Sequence, residues 1–311
     1  MLGTGAGQAL AGAIFITGHD ADFHAAVPPD YDGFIDDDHH NNAAGARRIT
    51  QAAIAFVTDP RFNSFFAAGV EKFLFVEADE ADANLEYSPL LGLQGLMASG
   101  FVEGTDFEQH GANTLDGELN RLGTSYSALV VASDCGGSLR QQELDILNSR
   151  SAAIMSFLNA GGGLFAMAQS NLCGPPDDPE SGITPGGGHF GFLPFVSSST
   201  FNADENDPSL AIKLSSYGRR RGLTQDDVQG NFAHNVFGGT WGMRVVDSLS
   251  AYGRRVPLSL AARGQVTDVG VVPEPAALSL VAVGVGVWVV ARRVRAARRP
   301  SGPGGDRAGR A

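Results

Sequence analysis

"YSALVVASDCGGSLRQQELDILNSRSAAIMSFLNAGGGLFAMAQSN" (126–171) contains, in one run, the unit from which the rest of the chain can be read. "SALVVASD" (127–134) is a short, almost wholly apolar run ending in polar residues, the form of a strand buried on both faces. Residues 139–163 follow with apolar side chains at 144, 147, 154, 157 and 158, one face of a helix, and stop at glycines. "GLFAMAQ" (163–169) is then a second buried strand. Strand, helix and strand in this order imply a right-handed crossover between parallel strands. The same form recurs upstream. "AGAIFITG" (11–18) and "KFLFVEAD" (72–79) read as buried strands, with helices expected over 43–57 and 89–100. The expected body is therefore α/β, with a mainly parallel sheet covered on both faces in three layers.

From about residue 175 the pattern loosens into proline- and glycine-rich segments. "TQDDVQGNFAHNVFGGTWGMRVV" (224–246) and the strand-like "VPLSLAAR" (256–263) read as the edge of the same sheet with irregular loops. The body is placed at 1–261, with 262–272 as a linker.

The 311 residues carry a net charge of −12, unevenly spread. From Arg292 onward there are seven arginines and one aspartate, so of 22 basic and 34 acidic side chains the first 291 residues hold 15 and 33, a net of −18. Such a body repels phosphate backbones, which excludes nucleic acid as a partner and favours cations or neutral ligands.

The stretch "VPEPAALSLVAVGVGVWVVARRVRAARRP" (272–300) has a different character. Ala276 to Ala291 is sixteen residues without a charge, and counting from Pro275 gives seventeen, the lower edge of a membrane-spanning helix. Arginines at 292, 293, 295, 298 and 299 would hold that end in the cytoplasm and place the acidic body outside. The tripeptide Pro273-Glu274-Pro275, the apolar run and Arg292-Arg293 together resemble the PEP-CTERM sorting signal of bacteria. That resemblance implies an exosortase as processing partner and an inner-membrane intermediate held by a transmembrane helix at 275–291. The implied destination is the cell surface or medium, with extracellular polysaccharide as a further partner. The signal would span 273–299, leaving 300–311 as a disordered basic tail.

Residues 126–171 resemble the class I glutamine amidotransferase-like superfamily, in particular its ThuA-like branch, which implies a flavodoxin-like sheet. An amidotransferase places a cysteine on the tight turn after the second strand, where the turn exposes the sulfur and a helix N-terminus lowers its pKa. Here that segment reads Ala166-Met167-Ala168-Gln169-Ser170, and Cys173 lies too late. The family's His-x-Glu pair is missing as well, since the late histidine stands in His234-Asn235-Val236. Glutaminase chemistry is thus not expected, and the domain reads as a non-catalytic binding or structural module of the envelope or exopolysaccharide layer. The alternative is an extracellular hydrolase acting on a carbohydrate or amide.

Several residues could carry chemistry. "GHDADFH" sets His19, Asp20, Asp22 and His24 just past the first strand, where ligands bind in open parallel sheets. Nitrogen and carboxylate donors at that spacing suit zinc or another divalent ion, while an aspartate-rich turn capping its own amides is the plainer reading. "DYDGFIDDDHHNN" (30–42) partly matches a calcium loop around Gly33, with Asp30, Asp32 and Asp36 at ligand positions. Pro28 and His39 stand where the first and last ligands belong, so a solvated acidic loop is the competing reading. Cys135 and Cys173 follow the two strands of the opening stretch. A disulfide there requires those strands to be neighbours, and two unpaired thiols are the alternative. His189 and His234, each among aromatic residues and glycines, read as satisfied, partly buried histidines. Ser170, His234 and Asp134 can be drawn as a hydrolytic triad, but "AMAQSN" is not a nucleophile elbow.

Overall fold

A computed structural model of the protein describes residues 12–27, 42–79, 91–134, 139–170, 183, 188–197, 200–202, 211–229, 233–251 and 254–273. The chain divides into a unit ending at Pro273 and a second unit, Glu274–Ala311, which lies outside the described residues.

The strands are β1 (Gly12–Thr17), β2 (Phe73–Val76), β3 (Phe107–His110), β4 (Ala128–Val131), β5 (Gly163–Ala166), β6 (Thr200–Asn202), β7 (Ala211–Leu214), β8 (Asn235–Phe237), β9 (Arg244–Ala251), β10 (Arg254–Thr267) and β11 (Gly270–Pro273). The principal helices are α1 (Ala21–Ala26), α2 (Ala43–Val57), α3 (Ser64–Ala67), α4 (Leu91–Ala98), α5 (Ala112–Glu118), α6 (Gln141–Ser149) and α7 (Ser151–Asn159). Nine strands form one mixed sheet in the order β3-β2-β4-β5-β1-β10-β9-β7, with β11 also on β10. The first five are mutually parallel and the remaining pairings are antiparallel. β6 and β8 form a separate two-stranded sheet.

Glycines fix which helix covers which face. Ala13 is the register partner of Gly163, so Gly12 points to the opposite face. A Cβ on Gly163 would meet Val57 of α2, and one on Gly12 would meet Leu158 of α7. These two helices therefore lie on opposite faces of the sheet, as expected. Phe15 packs edge-on against Phe56 of α2 and Phe165 of β5, with centroids 6.3 and 5.7 Å apart. This aromatic packing adds to the area term that holds α2 down.

Four expectations change. The helix expected over 139–163 is two helices, since Arg150 is at once the last cap of α6 and the first cap of α7. β3 was not expected. Its "FEQH" buries only Phe107, because among the described residues one side of this edge strand has no neighbouring strand. The stretch 262–272 is not a linker: it completes β10 and makes β11. Ala262, Val266 and Val271 are buried, and Val271 N donates to Trp241 O at 2.7 Å. The loose region after 175 contributes six strands, four of them (β7, β9, β10 and β11) to the main sheet, and β10 stands inside that sheet, paired directly with β1, not at its edge.

No helix among the described residues is long and apolar enough to cross a membrane. The stretch from Glu274 onward that was expected to be a sorting signal and transmembrane helix, with Pro275, Arg292 and Arg293, lies outside those residues. So do Cys135, Cys173 and residues 30–41 of the acidic loop. The strands preceding the two cysteines, β4 and β5, are parallel neighbours.

Candidate functional site

The carboxyl ends of β1, β4 and β5 lie side by side, and the loops leaving them gather buried polar side chains. β1 ends at Thr17, whose Oγ1 is 2.8 Å from Ser259 Oγ and accepts a hydrogen bond from His19 N. Gly18 then lets another segment approach. Its carbonyl accepts from His234 N at 2.7 Å, and a Cβ there would stand 1.7 Å from Asn235 O. Only a residue without a side chain allows the 233–235 strand to lie against this turn. Ala168 N donates to His19 O, and Asn235 Oδ1 accepts from Gln169 N, which locks the post-β5 segment into the same layer.

The four residues of "GHDADFH" do not act as one set. His19 turns to β9, with Nε2 2.9 Å from Asp247 Oδ2, and neither side chain reaches solvent appreciably. Asp22 turns to β4: Oδ2 accepts from Ser133 N at 2.8 Å and Oδ1 from Phe23 N at 3.0 Å. These two are structural fasteners. A carboxylate saturated by backbone donors fixes α1 to the sheet, as aspartate commonly does beside a turn.

Asp20 and His24, one helical turn apart, do converge, and the third member comes from the far end of the chain. Asp20 Oδ2 is 2.8 Å from His234 Nε2, and Asp20 Oδ1 is 3.4 Å from His24 Nε2. The ligating atoms of all three lie within 4.8 Å of one another, and all three residues are buried. Burial pushes the Asp20 carboxyl well above the usual carboxylate range, and the nearby carboxylates of Asp22 and Asp134 add to the rise. Burial also raises Asp22, opposed by its hydrogen bonds from Ser133.

Residues 166–170, the segment expected from the amidotransferase resemblance to form the turn after β5, are buried. Ser170 N donates to Asp134 Oδ2 at 2.9 Å, while the His234 ring pairs with Asp20. The drawn triad of Ser170, His234 and Asp134 is not assembled: Asp134 meets the backbone of Ser170, and His234 is engaged elsewhere.

Other acids, buried Glu77 and half-buried Asp79 among them, have plain roles. Glu77, raised by burial, accepts from Gly92 N and Leu93 N, both at 2.9 Å, and so caps α4. Asp79 accepts from Gly111 N and Asn113 N at the start of α5. A second group, Glu108, His110 and Glu118, also clusters. Its carboxylates are taken up by Lys72, Arg121 and the Tyr126 hydroxyl, making a salt-bridged patch beside β3.

Sequence reading assigned His234 a bland role and did not single out Asp247. One signal was present for Asp247, a lone carboxylate inside the otherwise ladder-like "RVVDSLSA", where a buried charge needs a partner. Comparison of the chain with protein-family models, with curated proteins and with solved structures found no match.

Proposed function

We propose that this is an envelope-directed binding protein. In this reading a flavodoxin-like domain, resembling the amidotransferase-like superfamily without its nucleophile, is delivered to the cell surface or exopolysaccharide layer by a PEP-CTERM signal. The observation that carries the reading is the position of Pro273. It is the last residue of β11, so the last described strand of the sheet ends on the first residue of the tripeptide Pro273-Glu274-Pro275, and Glu274, Pro275 and the apolar run follow in sequence.

Two further features support it. Strands β3-β2-β4-β5 follow the 2-1-3-4 order of a flavodoxin-like sheet, with β1 standing where the fifth strand would be. The buried Ala166–Ser170 segment has a methionine and a glutamine where acyl transfer needs an exposed nucleophile.

The test is an intact mass of the native protein from the envelope and medium of its own cells, with and without reduction. The expected product ends near Pro273–Pro275. A full-length chain confined to the cytoplasm would overturn the reading.

A further inference from the structure

We propose that Asp20, His24 and His234 form a binding site for one divalent transition-metal ion of the zinc class. This goes beyond the export reading and does not depend on it.

The donor set selects the ion. Two imidazole nitrogens and one carboxylate oxygen suit zinc or cobalt, whereas calcium and magnesium require shells made mainly of oxygen. Spacing agrees with this. Bonds of about 2.0–2.1 Å in a tetrahedral centre set neighbouring ligand atoms roughly 3.3 Å apart. Asp20 Oδ2 is 2.8 Å from His234 Nε2, Asp20 Oδ1 is 3.4 Å from His24 Nε2, and one ligand atom from each of the three residues lies within 4.8 Å of the others. A small movement of side chains is all that closure around an ion requires.

Burial makes the cluster difficult to explain as a solvated acidic turn. The side chains of His24, Asp20 and His234 are 1%, 2% and 4% exposed. Asp20 Oδ1 is buried and accepts no hydrogen bond among the described residues, and no lysine or arginine among them pairs with Asp20. An isolated carboxylate in such surroundings is unfavourable by several kcal/mol unless a cation or donors compensate it. A bound dication supplies that charge at the position the two imidazoles already flank.

The frame is rigid enough to hold the geometry. α1 is pinned by the Asp22 bonds to β4 and by α4, whose Gly95 would place a Cβ 1.9 Å from Asp22 O. His234 is fixed through its own amide to Gly18 O. The three ligands found among the described residues fill three of the four positions of a tetrahedral centre.

The experiment uses the full-length chain, stripped with chelator, reduced, and titrated with Co²⁺ and Zn²⁺. The expected result is one equivalent bound, with the visible bands of four-coordinate cobalt and no thiolate charge-transfer band. His24→Ala and His234→Ala should each weaken binding by about 100-fold or more, since even residues that merely orient ligands account for about 10–100-fold. No binding by the parent chain, a thiolate band pointing to Cys135 or Cys173, or unchanged affinity in both variants would overturn the proposal. Because a buried histidine variant can misfold, the parent chain is also read directly by histidine ¹⁵N resonances. Zinc should shift the Nε2 signals of two of the seven histidines, and absence of any such shift counts against the site.

Discussion

His19 and Asp247, 228 positions apart, meet with Nε2 and Oδ2 separated by 2.9 Å in a place closed to water. The pair ties the turn after β1 to the middle of β9, across β10. Replacing Asp247 by leucine strands a buried imidazole, and the expected loss is about 3–5 kcal/mol, the range for breaking a buried pair from one side. The double change His19→Leu with Asp247→Leu should recover part of that loss. Urea unfolding of the four chains gives the coupling directly, and a coupling near zero would mean that the contact contributes nothing to stability.

Gly95 offers a test in which two effects have opposite signs. Glycine inside a helix is disfavoured relative to alanine by about 1 kcal/mol, so propensity alone makes Gly95→Ala stabilising. The added methyl would stand 1.9 Å from the carbonyl oxygen of Asp22. Overpacking of about 1–3 kcal/mol should therefore win, and the melting temperature should fall. A rise in melting temperature would show that α1 and α4 separate easily.

The patch beside β3 predicts a pH dependence. The Lys72 ammonium and the Tyr126 hydroxyl hold the Glu108 carboxyl down to about 2, from an ordinary 4.5. Since the folded value is the lower one, the stabilisation is complete above the ordinary value and is lost as pH falls through about 2. The urea midpoints of the parent chain and Glu108→Gln should differ most above pH 4.5 and converge on acidification. A difference that stays constant with pH would show that the charge is not what matters.

Arg263 lies between two rings, its guanidinium carbon 4.3 Å from the Phe56 centroid and 3.7 Å from that of Phe62, with Nη2 2.8 Å from Asp59 Oδ2. Burial and the neighbouring Arg221 lower its pKa, with Asp59 opposing. Arg263→Ala should destabilise by about 2 kcal/mol through lost stacking and packing. Arg263→Lys should restore little, because an ammonium cannot lie flat between two faces. Full rescue by lysine in thermal unfolding would contradict this account.

Four of the five parallel strands were legible because they are buried on both faces and so appear as unbroken apolar runs, Ala13–Ile16, Phe73–Val76 and Ala128–Val131 among them, whereas the edge strand β3 buries only Phe107 and carries no such run. α2 was read with its observed ends, Ala43 and Val57, since its apolar spacing is regular. Of the antiparallel half only part of β10, the strand-like 256–263, was legible. "AIKL" of β7 alternates over only four residues, and "ARGQVTDVGVV" contains the glycines and polar residues of a linker while its Val266 and Val271 are buried by partners distant in sequence. The site divides in the same way. Asp20 and His24 are neighbours on one helical turn, which spacing can show. Where His19, Asp22 and His234 point is decided by Asp247, Ser133 and Gly18, and no local pattern encodes those meetings.

The pairing of β1 with β10 also constrains the order in which the molecule can form. β1 is the first strand described, and one of its two edges is closed only by residues Ser259–Gly264. A chain emerging from its amino end must carry β1 with an open edge until nearly the whole body has been made, and the loop to be closed is among the longest this chain allows. Completion of the sheet is thus postponed until residues 259–264 have been made, and the half-built body carries for that time an apolar strand with one open edge.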